Sequence, residues 1–155
     1  MKKECAKARV VAVACILAVG TIVLPEGAFA CSCAAYPEDP AQAISIAFSR
    51  ADVVFLGEVS DKRTKRFRYP PMHEVTFDVL TVWKGLSSRN PAVVRTATSS
   101  ISCGYDFRKP GRYLVFGYWD AKREILTTNM CELTRRESEA QRFIQELDKL
   151  GARSP

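Results

Sequence analysis

Histidine is almost missing from this chain: His73 is the only one in 155 residues. A His-based metal site or a Ser-His-Asp triad therefore has no full set of parts. G-x-S-x-G, H-E-x-x-H and a Walker-type phosphate loop are also missing, and the carboxylates are scattered without a convincing acid/base pair. These gaps argue against an enzyme. No internal repeat or low-complexity linker occurs, which sets aside solenoids and arrays. After residue 24 no apolar run approaches the roughly 20 residues of a membrane span.

What is present is the balance of a globular protein: 47% hydrophobic, 26% charged and 10% aromatic residues. The length suits one domain. A net charge of +6, from 23 basic and 17 acidic residues, favours acidic partners without implying nucleic acid.

The first thirty residues are of another kind. Lys2, Lys3, Lys7 and Arg9 precede an uncharged apolar run over 10–24, broken by Pro25, Glu26 and Gly27. Ala28-Phe29-Ala30 then supplies an A-x-A cleavage site. This three-part pattern predicts a signal peptide over 1–30 and an exported protein, extracellular or periplasmic. Cleavage after Ala30 would make Cys31 the first residue. A lipid-anchored form is the alternative, because bacterial lipoproteins are acylated at such a cysteine. The modifying enzymes usually want a Leu-like residue where Ala28 stands, which favours a free amine.

Cys5 and Cys15 leave with the signal, and Cys31, Cys33, Cys103 and Cys131 remain. An even count behind an export signal predicts disulfides. Three pairings exist, of which Cys31 to Cys33 would close a small strained ring. Either of the others ties the C-x-C to two distant points, where crosslinks stabilise most, roughly 4 kcal/mol each by loop entropy. A thiol-exchange role for Cys31-Ser32-Cys33 is disfavoured, since redox sites usually place two residues between the cysteines.

The patterning predicts a helix over 41–49, with Pro40 in its first turn and Ala43, Ile44, Ala47 and Phe48 on one face. Strands are expected over 53–60, 72–83, 92–97, 113–119 and 125–129. In the second, Val75, Phe77 and Val79 alternate with Glu74, Thr76 and Asp78, and Leu80, Val82 and Trp83 break the phase as a bulge would. Thr134 with Glu137 reads as a capping box opening a last helix, striped by Phe143, Ile144, Leu147 and Leu150 and ended by Gly151. Trp83 and Trp119 are expected in the core, and His73 at a solvated strand entrance. The sum is all-β, a five-stranded OB-fold-type closed barrel with flanking N- and C-terminal helices and two disulfides. Residues 31–134 form the barrel domain and 135–155 a C-terminal helix and tail.

Lys62, Arg63, Lys65, Arg66 and Arg68 form a basic run interleaved with Phe67 and Tyr69. It is expected on a solvated hairpin arm between the first two strands, a candidate contact for polyanions or the cell envelope. Export argues against single-stranded nucleic acid, which such a pattern could otherwise bind.

Several segments resemble the inhibitory domain of tissue inhibitors of metalloproteinases, part of the netrin-like superfamily. They are Cys31-Ser32-Cys33-Ala34, Phe48-Ser49-Arg50-Ala51-Asp52-Val53-Val54, Trp83-Lys84-Gly85 and Ser102-Cys103-Gly104. Tyr113-Leu114-Val115-Phe116-Gly117 and Leu126-Thr127-Thr128-Asn129-Met130-Cys131 complete the set. The resemblance covers residues 31–134. Ser49 stands where the family usually starts a third disulfide, and the animal inhibitors' cysteine-rich C-terminal subdomain is missing, so a bacterial single-domain relative is implied.

The resemblance implies an OB-type barrel and pairings Cys31–Cys103 and Cys33–Cys131. It implies a secreted, monomeric inhibitor rather than an enzyme, with no cofactor of its own. The α-amine and carbonyl of Cys31 would chelate the catalytic zinc of a metalloprotease in trans. Ser32 would enter a primed-side pocket. Cys33, Ala34 and Ala35 would follow the cleft, and Ile101 and Ser102 would form the second part of the wedge. The alternative is a netrin-like binding module for an envelope, matrix or polyanionic partner, using the basic run.

Overall fold

A computed structural model describes residues 31–65, 71–86, 91–122 and 124–151. The signal segment 1–30 lies outside the described residues, as do Arg66 and Arg68 of the basic run.

Asp39 opens the first helix, α1 (Pro40–Arg50), by accepting hydrogen bonds from the amides of Ala41 and Gln42 at 3.3 Å. The helix buries Ala43, Ile44 and Ala47, the face expected from the sequence. The strands are β1 (Val53–Lys65), β2 (Met72–Lys84), β3 (Ala92–Ala97), β4 (Arg112–Asp120) and β5 (Ile125–Thr127), with a two-residue β6 (Arg135–Arg136) before α2 (Glu137–Lys149). Ladders run β1–β2–β3–β5–β4, and β4 pairs back onto β1, so the five main strands form a circuit. The β3–β5 pairing is parallel; the others are antiparallel.

Two apolar layers follow from strand alternation. Val53, Phe55, Val75, Phe77, Val115 and Leu126 meet inside the circuit, where Phe77 packs edge-on against Phe55 and Phe107. Val54, Leu56, Leu114 and Phe116 face the other way, onto Ala47 of α1 and Phe143 and Leu147 of α2. The first half of β1 and most of β4 thus bury both faces. This is why they read as unbroken apolar runs.

Several sequence expectations are corrected. The strand β1 continues to Lys65, because paired antiparallel strands tolerate charge on both faces where no core covers them. Thr134 does not cap α2: Arg136 holds that position without a side-chain bond. The Thr134 hydroxyl is buried, accepts from the Phe116 amide at 2.9 Å and meets Thr128 Oγ1 at 2.9 Å. Glu137 and Glu139 favour the helix start electrostatically instead. The strand β5 ends at Thr127, since Thr128 turns its hydroxyl into the core to donate to the Phe116 carbonyl at 2.7 Å. Trp83 is buried and donates to Asp148 at 3.0 Å, but Trp119 is 51% exposed at the end of β4. Leu150 is also exposed, beyond the buried stripe of α2. The phase break in β2 is real: Leu56 pairs with Thr81 and Gly57 with Val79, leaving Leu80 as the extra residue.

Candidate functional site

The chain from Cys31 to Tyr36 has no regular secondary structure, and Ser32, Cys33, Ala34 and Ala35 are exposed. Two disulfides hold it. Cys31 joins Cys103 and Cys33 joins Cys131, with Cα–Cα separations of 5.1 and 5.0 Å. The bridges lie against each other, with Cys31 Sγ 3.4 Å from Cys131 Sγ. The sulfurs of Cys31, Cys103 and Cys131 lie within 4.8 Å of one another, a spacing a metal could use. Each is spent in a disulfide, so none is the thiolate that a metal requires.

The partner loop is built for this attachment. Ser99 caps a single 3₁₀ turn (Ser100–Ser102), its hydroxyl accepting from the Ile101 amide at 3.1 Å. Cys103 ends the turn in a left-handed conformation at φ 60°. Gly104 then passes so close to the Ala97 carbonyl that a Cβ would collide with it, which requires glycine. Its amide donates to the Ser99 carbonyl at 2.9 Å. Ile101, 65% exposed, and exposed Ser102 therefore stand beside the Cys31 attachment point.

The expected wedge residues are thus brought together: the segment from Cys31 to Ala35 is bridged at its first residue to the loop bearing Ile101 and Ser102. One neighbour went unread in the sequence. Met130 is 42% exposed, and its amide donates to the Cys103 carbonyl at 2.9 Å. Its place beside Cys131 was the only available signal.

Behind the segment, Glu132 Oε2 accepts from Tyr36 Oη at 3.1 Å and from Tyr118 Oη at 2.5 Å. Burial and the adjacent Glu132 carboxylate both push these phenols above the usual tyrosine range, Tyr118 the more strongly. Nothing in the local sequence pairs these residues.

The described cations of the basic run have acidic partners. Lys62 Nζ lies 3.2 Å from Asp106 and donates to the Phe107 carbonyl at 2.8 Å. Arg63 pairs with Asp61 at 2.6 Å, and Lys65 lies 3.9 Å from Glu74. The hydrogen bond from Arg108, helped by Lys62, holds the Asp106 carboxyl below its ordinary range. His73 is half-buried on β2 with Nδ1 3.1 Å from Thr64 Oγ1, and burial, then Lys62, lower its pKa. No helix among the described residues is long and apolar enough to cross a membrane, and the two disulfides suit a non-reducing environment. Compared with known proteins, the chain matches no family model and no curated sequence.

Proposed function

We propose that the chain is a secreted inhibitor of zinc metalloproteases, released by signal cleavage after Ala30 and built on an OB-type barrel of the netrin-like kind. The observation that carries this reading is the exposed Ser32–Ala35 stretch, preceded by half-buried Cys31, which is bridged to Cys103 beside exposed Ile101 and Ser102. The strand circuit with a helix at each end of the chain's order suits that fold.

A protease's catalytic zinc keeps an open position, filled by the water that attacks the peptide. The α-amine nitrogen and carbonyl oxygen of a free N-terminal Cys31 can close a five-membered chelate there, displacing the nucleophile. The donor must be the neutral amine, and an α-amino group has a pKa of about 7.7 to 8.0, so neutralisation near pH 7 costs little. The protein acts here as a ligand, not a catalyst, and needs no cofactor of its own. Both disulfides pre-order the segment, which lowers the conformational cost of binding. Ser32 would present a small polar side chain to the first primed-side pocket.

Polyanion binding is the rival reading. The acidic partners of Lys62, Arg63 and Lys65 weaken it. The test is to express the full chain with its own signal, sequence the mature N-terminus by mass spectrometry, and titrate the product against a panel of zinc endopeptidases. A free Cys31 amine with stoichiometric inhibition supports the proposal. An acylated Cys31, or binding confined to polyanions and falling steeply with salt, would overturn it.

A further inference from the structure

Cys33 and Tyr36 sit three residues apart, and each is fastened to one of two consecutive residues. Cys33 is bonded to Cys131, and the Tyr36 hydroxyl donates to the Glu132 carboxylate at 3.1 Å. Between these anchors, exposed Ala34 and Ala35 offer only methyl side chains. They line a cleft of about 290 Å³ whose other walls include Tyr118, Arg50 and Ile46. The segment therefore forms an exposed arch at the edge of this cleft rather than joining the core. Its second footing rests on Glu132. The same carboxylate oxygen accepts from Tyr118 at 2.5 Å, which ties the footing to β4, where Tyr118 pairs with Thr127 of β5.

We propose that Glu132 is a positioning residue for the inhibitory segment: it clamps Tyr36 to Tyr118 and so fixes the arch of Ala34 and Ala35. This rests on the inhibitor reading, since the arch is the stretch expected to run along the protease cleft. A carboxylate suits the task because one oxygen can accept from two hydroxyls at once, and hydrogen bonds to a charged acceptor are the stronger kind. The disulfide alone would leave the stretch between Cys33 and α1 without an anchor of its own. With both ends held, the segment meets its target already ordered, and the gain appears in affinity rather than in the stability of the strand circuit.

The experiment compares the chain beginning at Cys31 with its E132Q, E132L and Y36F variants. It uses ¹⁵N relaxation of the Ala34 and Ala35 amides, melting temperature, and inhibition of a zinc endopeptidase that the native chain inhibits. Gln keeps an acceptor oxygen, so E132Q should retain rigid amides, with order parameters near 0.85, and near-native inhibition. E132L should drop those amides below about 0.6 and weaken inhibition about ten-fold or more. Y36F, which removes a single hydroxyl, should do the same to a lesser degree while melting as the native chain does. Rigid Ala34 and Ala35 in both E132L and Y36F would overturn the clamp, as would loosened amides with unchanged inhibition. If the native chain inhibits no protease, the zinc-directed reading falls, and the relaxation data still decide whether Glu132 orders the arch.

Discussion

Ser32 is exposed and takes no part in the apolar core, so its side chain is free to serve recognition. Ser32→Leu should leave the melting temperature unchanged and re-rank inhibition across a protease panel towards enzymes with deep apolar primed-side pockets. An unchanged ranking would mean that the side chain enters no pocket. Thr134 is the opposite case. Its hydroxyl answers the buried Phe116 amide at 2.9 Å and meets Thr128 at 2.9 Å. Thr134→Val keeps the shape but orphans that amide, and should cost about 1–3 kcal/mol in a denaturant titration. A loss below the measurement error would show that the site is not dry. The sequence misread this residue for a physical reason: a Thr three positions before a Glu looks the same whether its hydroxyl caps a helix or satisfies a strand. Trp119 illustrates the same limit, because its large ring reads as core wherever it falls.

At the level of elements, alternation in β2 was legible because one side of the strand is covered and the other is not. Val75, Phe77 and Val79 are buried while Asp78 is exposed. The bulge at Leu80 could also be read, since an extra residue inverts the faces beyond it. The far half of β1 could not, because charged residues on an uncovered ribbon carry no period that marks them as strand. The N-terminal segment has no regular secondary structure and is held by its two bridges and by the Tyr36–Glu132 hydrogen bond. Replacing Cys33 and Cys131 together by Ser should cost about 2–5 kcal/mol of stability. It should also loosen the stretch between Cys31 and Tyr36, whose other anchors remain, while far-ultraviolet circular dichroism still reports the strands. Retained stability and retained inhibition together would reduce that bridge to decoration. Non-reducing peptide mapping should recover Cys31–Cys103 and Cys33–Cys131; crossed pairings would contradict the arrangement on which the wedge depends.

On the scale of the whole molecule, three tyrosines fold with raised pKa values: burial dominates for each, with Glu132 adding at Tyr36 and Tyr118, while Tyr105 is pushed up to about 12. Their neutral forms are favoured in the folded state, so this contribution is complete below the unfolded value of about 10. It is lost as pH rises from there through the raised values. Melting temperature should therefore fall above about pH 10, together with the appearance of phenolate absorbance; a fall well below pH 9 tracking phenolate would contradict these environments. The C-x-C and its two distant contacts could be found in the sequence because an even set of cysteines announces bridges, whereas Ile101 and Ser102 are named only through the resemblance. Met130 and the Tyr36–Glu132–Tyr118 clamp could not, since those neighbours meet only once β4, the Cys131 turn and the N-terminal segment converge. Everything in the functional account depends on one atom, the α-amine nitrogen of Cys31. Placing a single Ala before Cys31 converts that amine to an amide, a very poor zinc donor, and adds a residue towards the metal, without touching the core or either disulfide. Native and Ala-extended chains should be titrated side by side against the same zinc endopeptidases. The native chain should inhibit and the extended chain should not, at equal melting temperature; equal inhibition by both would contradict chelation by the Cys31 amine.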